Sequence, residues 1–185
     1  MVVPGKYTIE LHSGGQTLRQ MLTIELDPRV HASQADLVAQ RDLAITISHG
    51  MKSSYDAYQQ VAGVRKRLAE RLKSLDTAEL KNAKDAAASL DKKLETVENG
   101  TKASPGLGPT NRDLARLIFS VESADAAPAE SVRSAVQQSC EALSNSLSSW
   151  RQINEEDLGQ LNSMLSANRE SPLPIAEVET SACGK

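Results

Sequence analysis

Aromatic side chains are scarce: Tyr7, Tyr55, Tyr58, Phe119 and Trp150 are all there are. Base-stacking sites need exposed aromatic platforms, and sugar sites generally use them too, so the scarcity argues against both. Basic excess is also missing. The formal charge is −3 and the pI about 5.7, against the positive face of a generic nucleic-acid binder. The run Arg65, Lys66, Arg67 is followed by Glu70 and reads as a solvated helix face. No stretch approaches the ~20 apolar residues of a membrane span. Two cysteines, Cys140 and Cys183, allow one pairing. Cys140 lies in a helical pattern and Cys183 in a polar tail, so no bridge is expected and a disulfide scaffold is excluded; two cysteines alone do not decide the redox compartment.

Signatures of chemistry are missing as well. His12, His31 and His49 have no His or Cys partner at metal-ligand spacing, and neither HExxH nor CxxC occurs. There is no Gly-x-Ser-x-Gly elbow. Ser13-Gly14-Gly15 lacks the helix and lysine that a phosphate loop needs, and Gly106-Leu107-Gly108 runs into a proline. Glu155, Glu156 and Asp157 cluster where a helical turn would begin, and there they complement the helix dipole. Cys140 suits a buried seam, Cys183 an exposed position, and Trp150 an anchor between helices. No residue is therefore assigned as catalytic, cofactor-binding or metal-binding, no cofactor is expected, and the chain is read as a non-enzyme.

What is present is pattern. YTIEL at 7–11 returns as LTIEL at 22–26. Tyr7, Ile9 and Leu11 alternate with Thr8 and Glu10, and Leu18, Leu22, Ile24 and Leu26 fall on one face of the second run. With Ser13-Gly14-Gly15 between them, these runs predict an antiparallel hairpin closed by Asp27-Pro28. An isolated hairpin is marginal in water, so its apolar face needs cover.

Beyond Pro28 the period becomes helical. Ser33, with Asp36 three residues on, predicts a capped start. Leu37, Ala44, Ile47, Met51, Tyr55, Tyr58, Val61, Leu68, Leu72 and Leu75 form one stripe of a helix over about 33–75. Asp76-Thr77 restarts the pattern, and Leu80, Ala83, Ala87, Leu90, Leu94 and Val97 run down a second helix to Asn99-Gly100. Lys102 to Pro109 reads as a loop, with Thr110 or Asn111 capping a short third helix. Asp125 to Pro128 is a break, with Pro128 in the first turn of a fourth helix that carries Val132, Val136, Cys140, Leu143, Leu147, Trp150, Ile153, Leu158, Leu161 and Leu165. A pause at Asn154-Glu155-Glu156 divides or merely marks that helix. The fold class expected is mainly α: an antiparallel helical bundle with two long and two shorter helices, the long pair antiparallel, preceded by an N-terminal β-hairpin. The domains are 1–30 (hairpin), 31–172 (bundle) and 173–185, a loose tail.

The stretch beginning Pro4-Gly5-Lys6-Tyr7-Thr8-Ile9 resembles the penultimate strand of extracellular immunoglobulin-like sandwiches. PGKYTIEL…GGQTLRQMLTIELDPRV, then a long helix, then WRQINEEDLGQLNSMLSANRESPLP, resembles the C-terminal end of large bacterial secreted proteins. Those proteins carry sortilin-like or BNR-repeat β-propellers and are often labelled glycosyl hydrolases. The resemblance implies that this chain is the terminal piece of such a protein, with the hairpin the remnant of a sandwich. The propeller, where any hydrolytic site would lie, is absent, so no site residue carries over. MVVPGKYTIEL has no charged segment before an apolar run, hence no secretory signal, and looks like a start placed inside a longer protein. Secreted or periplasmic location follows only from the resemblance.

The expectation is thus a non-catalytic helical structural or protein-interaction module. Its partners are upstream sandwich or propeller domains, or another copy, with no nucleic acid and no membrane span. The alternative is a free-standing cytoplasmic helical adaptor or oligomerisation domain. A hydrolase rests on the label alone.

Overall fold

The computed structural model describes residues 2–74, 80–178 and 181–184. The expected restart at Asp76-Thr77 and the end of the first helical stripe at Leu75 lie outside them. Strands β1 (Gly5–Ser13) and β2 (Gln16–Ile24) pair antiparallel. Tyr7 faces Leu22, Ile9 faces Gln20, and Leu11 faces Leu18 across the ladder. Gly14 and Gly15, with φ of 56° and 76°, make the two-residue turn whose twist suits a hairpin and which other residues enter at a cost. Paired residues share a face, so one face is apolar while the other carries the Glu10–Arg19 ion pair. This is the hairpin that the alternation predicts.

Helix α1 spans Gln34–Ser74. Its start is a reciprocal cap: the Asp36 amide donates to Ser33 Oγ, and the Ser33 amide and hydroxyl donate to the Asp36 carboxylate. Those bonds hold the Asp36 carboxyl below the usual range. Buried positions follow at Leu37, Gln40, Ala44, Ile47, Gly50, Ser54, Ala57, Val61, Val64 and Leu68. In the middle of the helix this corrects the expected stripe. Gly50, Ser54 and Ala57 face the core, whereas Met51 and Tyr58 flank it and Tyr55 is exposed. The reason is close approach. Asn111 of the helix that follows the 100–106 loop donates to Met51 O and Ser54 Oγ, each at 2.8 Å, so only small side chains fit beneath it.

Helix α2 is Lys81–Asn99, α3 is Leu107–Glu122, and α4 is Glu130–Gln152. The third helix starts before Thr110, with Gly106 at its cap and Pro109 inside its first turn, where a missing N–H costs nothing. Pro128 precedes the Ala129 cap instead of entering α4. Past Gln152 the chain makes one π-helical turn, Ile153–Asp157, and continues as α5, Leu158–Ala167. The Leu158 amide reaches Ile153 O, a five-residue step, so the pause at Asn154 is an inserted residue in a continuous rod.

Contacts fix the directions. Gln40 reaches Val121 and Ala124 carbonyls while Asn111 meets Ser54, so α3 is antiparallel to α1. Arg65 meets both Asp91 and Glu98, clamping α2 on the second half of α1. The two carboxylates raise the Arg65 pKa, Asp91 most, and tie down a residue that the sequence pattern placed on a solvated face. Trp150 meets Gln60 and Arg71 meets Glu170, so the α4–α5 rod runs parallel to α1. The expected antiparallel pairing of the two long helices is corrected: α2 and α3, of 19 and 16 residues, together supply the return path between them. Helix α1 is antiparallel to α3, and α3 to α4, so the mainly helical bundle behind an N-terminal hairpin is as the pattern predicts. One apolar core runs the length of this bundle, from Ala44 through Val61, Leu94, Leu114, Leu143 and Trp150 to Leu165.

Candidate functional site

The three histidines stay apart. His12 lies on the hairpin beside Thr17 and Glu10, His31 sits in the loop before α1, and His49 lies on the outer side of α1. Among the described residues no group of three His, Cys, Asp or Glu side chains is placed to hold a metal ion. Ser13-Gly14-Gly15 is the hairpin turn, and Gly106-Leu107-Gly108 opens α3. Glu155, Glu156 and Asp157 occupy the π-helical turn, and Asp157 pairs with Lys93 of α2 at 2.6 Å. That pair borders an open cleft of about 450 Å³ between the end of α2 and α4, lined with Thr96, Thr101, Asn145 and Ser149.

The most organised feature is the C-terminal segment, which corrects the expectation of a loose tail. Cys140 and Cys183 are joined by a disulfide, also against expectation. The segment runs back, antiparallel to α5 and α4, held at successive points. The Asn162 side chain donates to Leu173 O and accepts from the Leu173 amide, at 2.8 and 2.7 Å. Asn154 does the same for Ala176, at 2.8 and 3.0 Å. Each asparagine thus substitutes for the neighbouring strand that an extended backbone would otherwise need. Gln60 links three elements, accepting from Trp150 Nε1 at 2.9 Å and donating to Glu177 O at 3.0 Å. Leu173 is buried, and Ala176, Val178, Ala182 and Cys183 pack on the core.

Spacing explains the fit. From Asn162 to Asn154 the helical rod rises about 12 Å, and the three residues from Leu173 to Ala176 cover about 10 Å when extended. The π-helical turn turns Asn154 inward, next to Ile153, and leaves Leu158 and Leu161 on the core side. In sequence, the available signal was an asparagine beside each apolar seam residue, Ile153-Asn154 and Leu161-Asn162, followed by Pro-Leu-Pro.

The second feature is the hairpin. Ile9, Leu11, Leu18 and Leu22 are 51%, 59%, 64% and 43% exposed, although the alternation marks their face for burial. Neither strand packs against a helix among the described residues. The hairpin meets α1 through the Gln34 side chain, which donates to Pro4 O at 3.2 Å. Tyr7 turns its hydroxyl back to Val3 O. Both outer edges of this two-stranded sheet lack a neighbouring strand among the described residues.

Compared with known proteins, the chain matches no family model, no curated protein and no solved structure.

Proposed function

We propose that this chain is a non-catalytic interaction module, in which a closed helical bundle supports a hairpin that docks into a β-sheet layer of a larger secreted protein. One observation carries the reading: the helical stripes are buried against one another, while the apolar face of the hairpin is bare. Sheets with one polar and one apolar face are built to lie on a second layer. The disulfide supports an oxidising compartment, since such bonds persist outside the cytosol and are rare within it.

Size favours a sheet of the same polypeptide as the occupant. Nine-residue strands are about 30 Å long, and a pair is about 10 Å wide. Two such faces would bury roughly 600 Å² in total, short of the ~1,000 Å² of a stable interface between separate chains. A covalently joined sheet escapes that limit through its high effective concentration.

Deleting residues 1–28 tests the reading. Cooperative helical unfolding, followed by circular dichroism, is expected to survive, and any weak, non-stoichiometric self-association, followed by light scattering, to fall. Loss of cooperative melting would make the hairpin integral to the bundle and remove the proposal. A stable dimer of the intact chain, abolished by Leu11→Lys or Leu18→Lys, would favour the free-standing oligomerisation domain instead.

A further inference from the structure

We propose that the trench between α3 and α4 is a binding site for the carboxy-terminal end of an extended peptide with small side chains, read through Thr110, Asp113 and Arg116.

The trench exists because α4 presents small residues towards α3. Ala135, Ser139 and Ala142 recur at steps of four and three, so they share one side of α4. With Leu117 of α3 they line an open cleft of about 450 Å³. A stripe of small residues alone is a packing surface. Thr110 sets this one apart. It lines the same cleft, is only 1% exposed, and its hydroxyl has no hydrogen-bond partner among the described residues. Buried hydroxyls are normally paired. One left unpaired beside an open cleft calls for a partner from outside the chain.

The chemistry of that partner follows from the order of the groups. Thr110, Asp113 and Arg116 succeed one another along α3 and step from floor to rim: Thr110 is buried, Asp113 half-buried and Arg116 exposed. They offer, in turn, a hydroxyl donor, a carboxylate acceptor and a guanidinium. The end of an extended peptide offers the complementary order: a backbone carbonyl, an N–H, then the terminal carboxylate. The lengths agree. From Thr110 to Arg116 the helix rises about 9 Å, and three extended residues span about 10 Å. Arg116 pairs with Asp113 at 3.2 Å. Its planar fork has donors left for a second carboxylate, and Asp113 has lone pairs left for an N–H. Leu117, Ala135 and Ala142 form walls suited to methyl-sized side chains. The hairpin contributes no residue to this trench, so trench and hairpin can be tested separately.

Titrating acetyl-trialanine into the full isotope-labelled chain, followed by amide chemical shifts, tests this. The free acid is expected to give saturable shifts at Thr110, Asp113, Arg116 and Ser139. Its carboxy-terminal amide is expected to bind about tenfold more weakly or worse, the loss of one charged hydrogen-bonded contact. Arg116→Gln, a change at an exposed position, should weaken the acid by a similar factor and leave the amide's affinity unchanged. Thr110→Val keeps the shape and removes the hydroxyl, and it should weaken both by about threefold or more. Absence of saturable shifts into the millimolar range would mean that no site exists. Equal affinity for acid and amide would mean that the carboxylate is not read. Acetate binding as tightly as the peptide would mean an anion site only. Each of these results overturns the proposal.

Discussion

A Cβ built on Gly50 of α1 would stand 2.8 Å from the Cys183 sulfur and 2.9 Å from Leu114 Cδ1. Alanine at this position would gain about 1 kcal/mol of helix propensity. It would also crowd a sulfur that the disulfide prevents from moving. The steric term should win in the oxidised protein, so Gly50→Ala is expected to cost about 1–3 kcal/mol there. In the reduced protein Cys183 can withdraw, and the cost should shrink. Denaturant melts of both forms give the comparison, and equal costs would show that Leu114, not the sulfur, sets the limit.

Removing the disulfide itself should be felt globally. The bridged residues are 43 apart in sequence, and a loop of that size is expected to contribute about 2–4 kcal/mol by restricting the unfolded chain. Cys140→Ser and Cys183→Ser should each lower stability by that amount, and the double variant should do no more.

Trp150 is fully buried and donates to Gln60. Trp150→Ala should cost about 3–5 kcal/mol, the range for large buried aromatics. Gln60→Leu separates the polar part of that role, because it leaves Trp150 Nε1 and Glu177 O without this partner. A cost of about 1–3 kcal/mol is expected. A Trp150→Ala cost under about 1 kcal/mol would contradict the buried position.

The cap of α1 carries a pH signature. Ser33 holds the Asp36 carboxyl below the usual range, first through its hydroxyl and then through its amide. A carboxyl with a depressed folded pKa stabilises the fold above its unfolded pKa. That contribution fades as pH falls through the folded value. Titrating the Asp36 carboxyl by NMR should give a midpoint below that of an unstructured aspartate, and Ser33→Ala should move it back upward.

No hydrolytic turnover is expected on glycoside, ester or peptide substrates. The three histidines are separate, and Asp157 is paired with Lys93. Turnover that survives repurification and vanishes on changing one of His12, His31 or His49 would defeat this expectation.

The elements legible in the sequence were those set by local period and local chemistry. Alternation located β1 and β2, Ser33 and Asp36 located the start of α1, and the apolar stripes located the cores of α2 and α4. What stayed hidden depended on partners far along the chain. The middle of α1 turns small residues inward because Asn111 arrives from 60 residues away. Asn154 faces the C-terminal segment because a π-helical turn shifts the register, which a 3.6-residue period does not anticipate. The pairing of Cys140 with Cys183 follows on a polar tail whose Leu173 and Ala176 are gripped by Asn162 and Asn154, and that required knowing what the asparagines hold. The parallel course of α1 and α4–α5 followed from two short helices sharing the return journey, a choice that stripe lengths alone left open.

Tension applied to the molecule would follow an uneven route. The hairpin hands over to α1 at Gln34, and Gly184 rests at His49, only about 22 Å farther along the same helix. A pull on Gly184 would pass through the Cys140–Cys183 bond into the middle of α4, sparing the asparagine-gripped stretch from being peeled bond by bond. A pull on the hairpin would meet the first turn of α1 directly, with no packed sheet to spread it. The far end, where α2 and α5 meet the second half of α1, would lie off that route. With the disulfide cut, the same pull would unzip the C-terminal segment one asparagine at a time, Asn154 before Asn162.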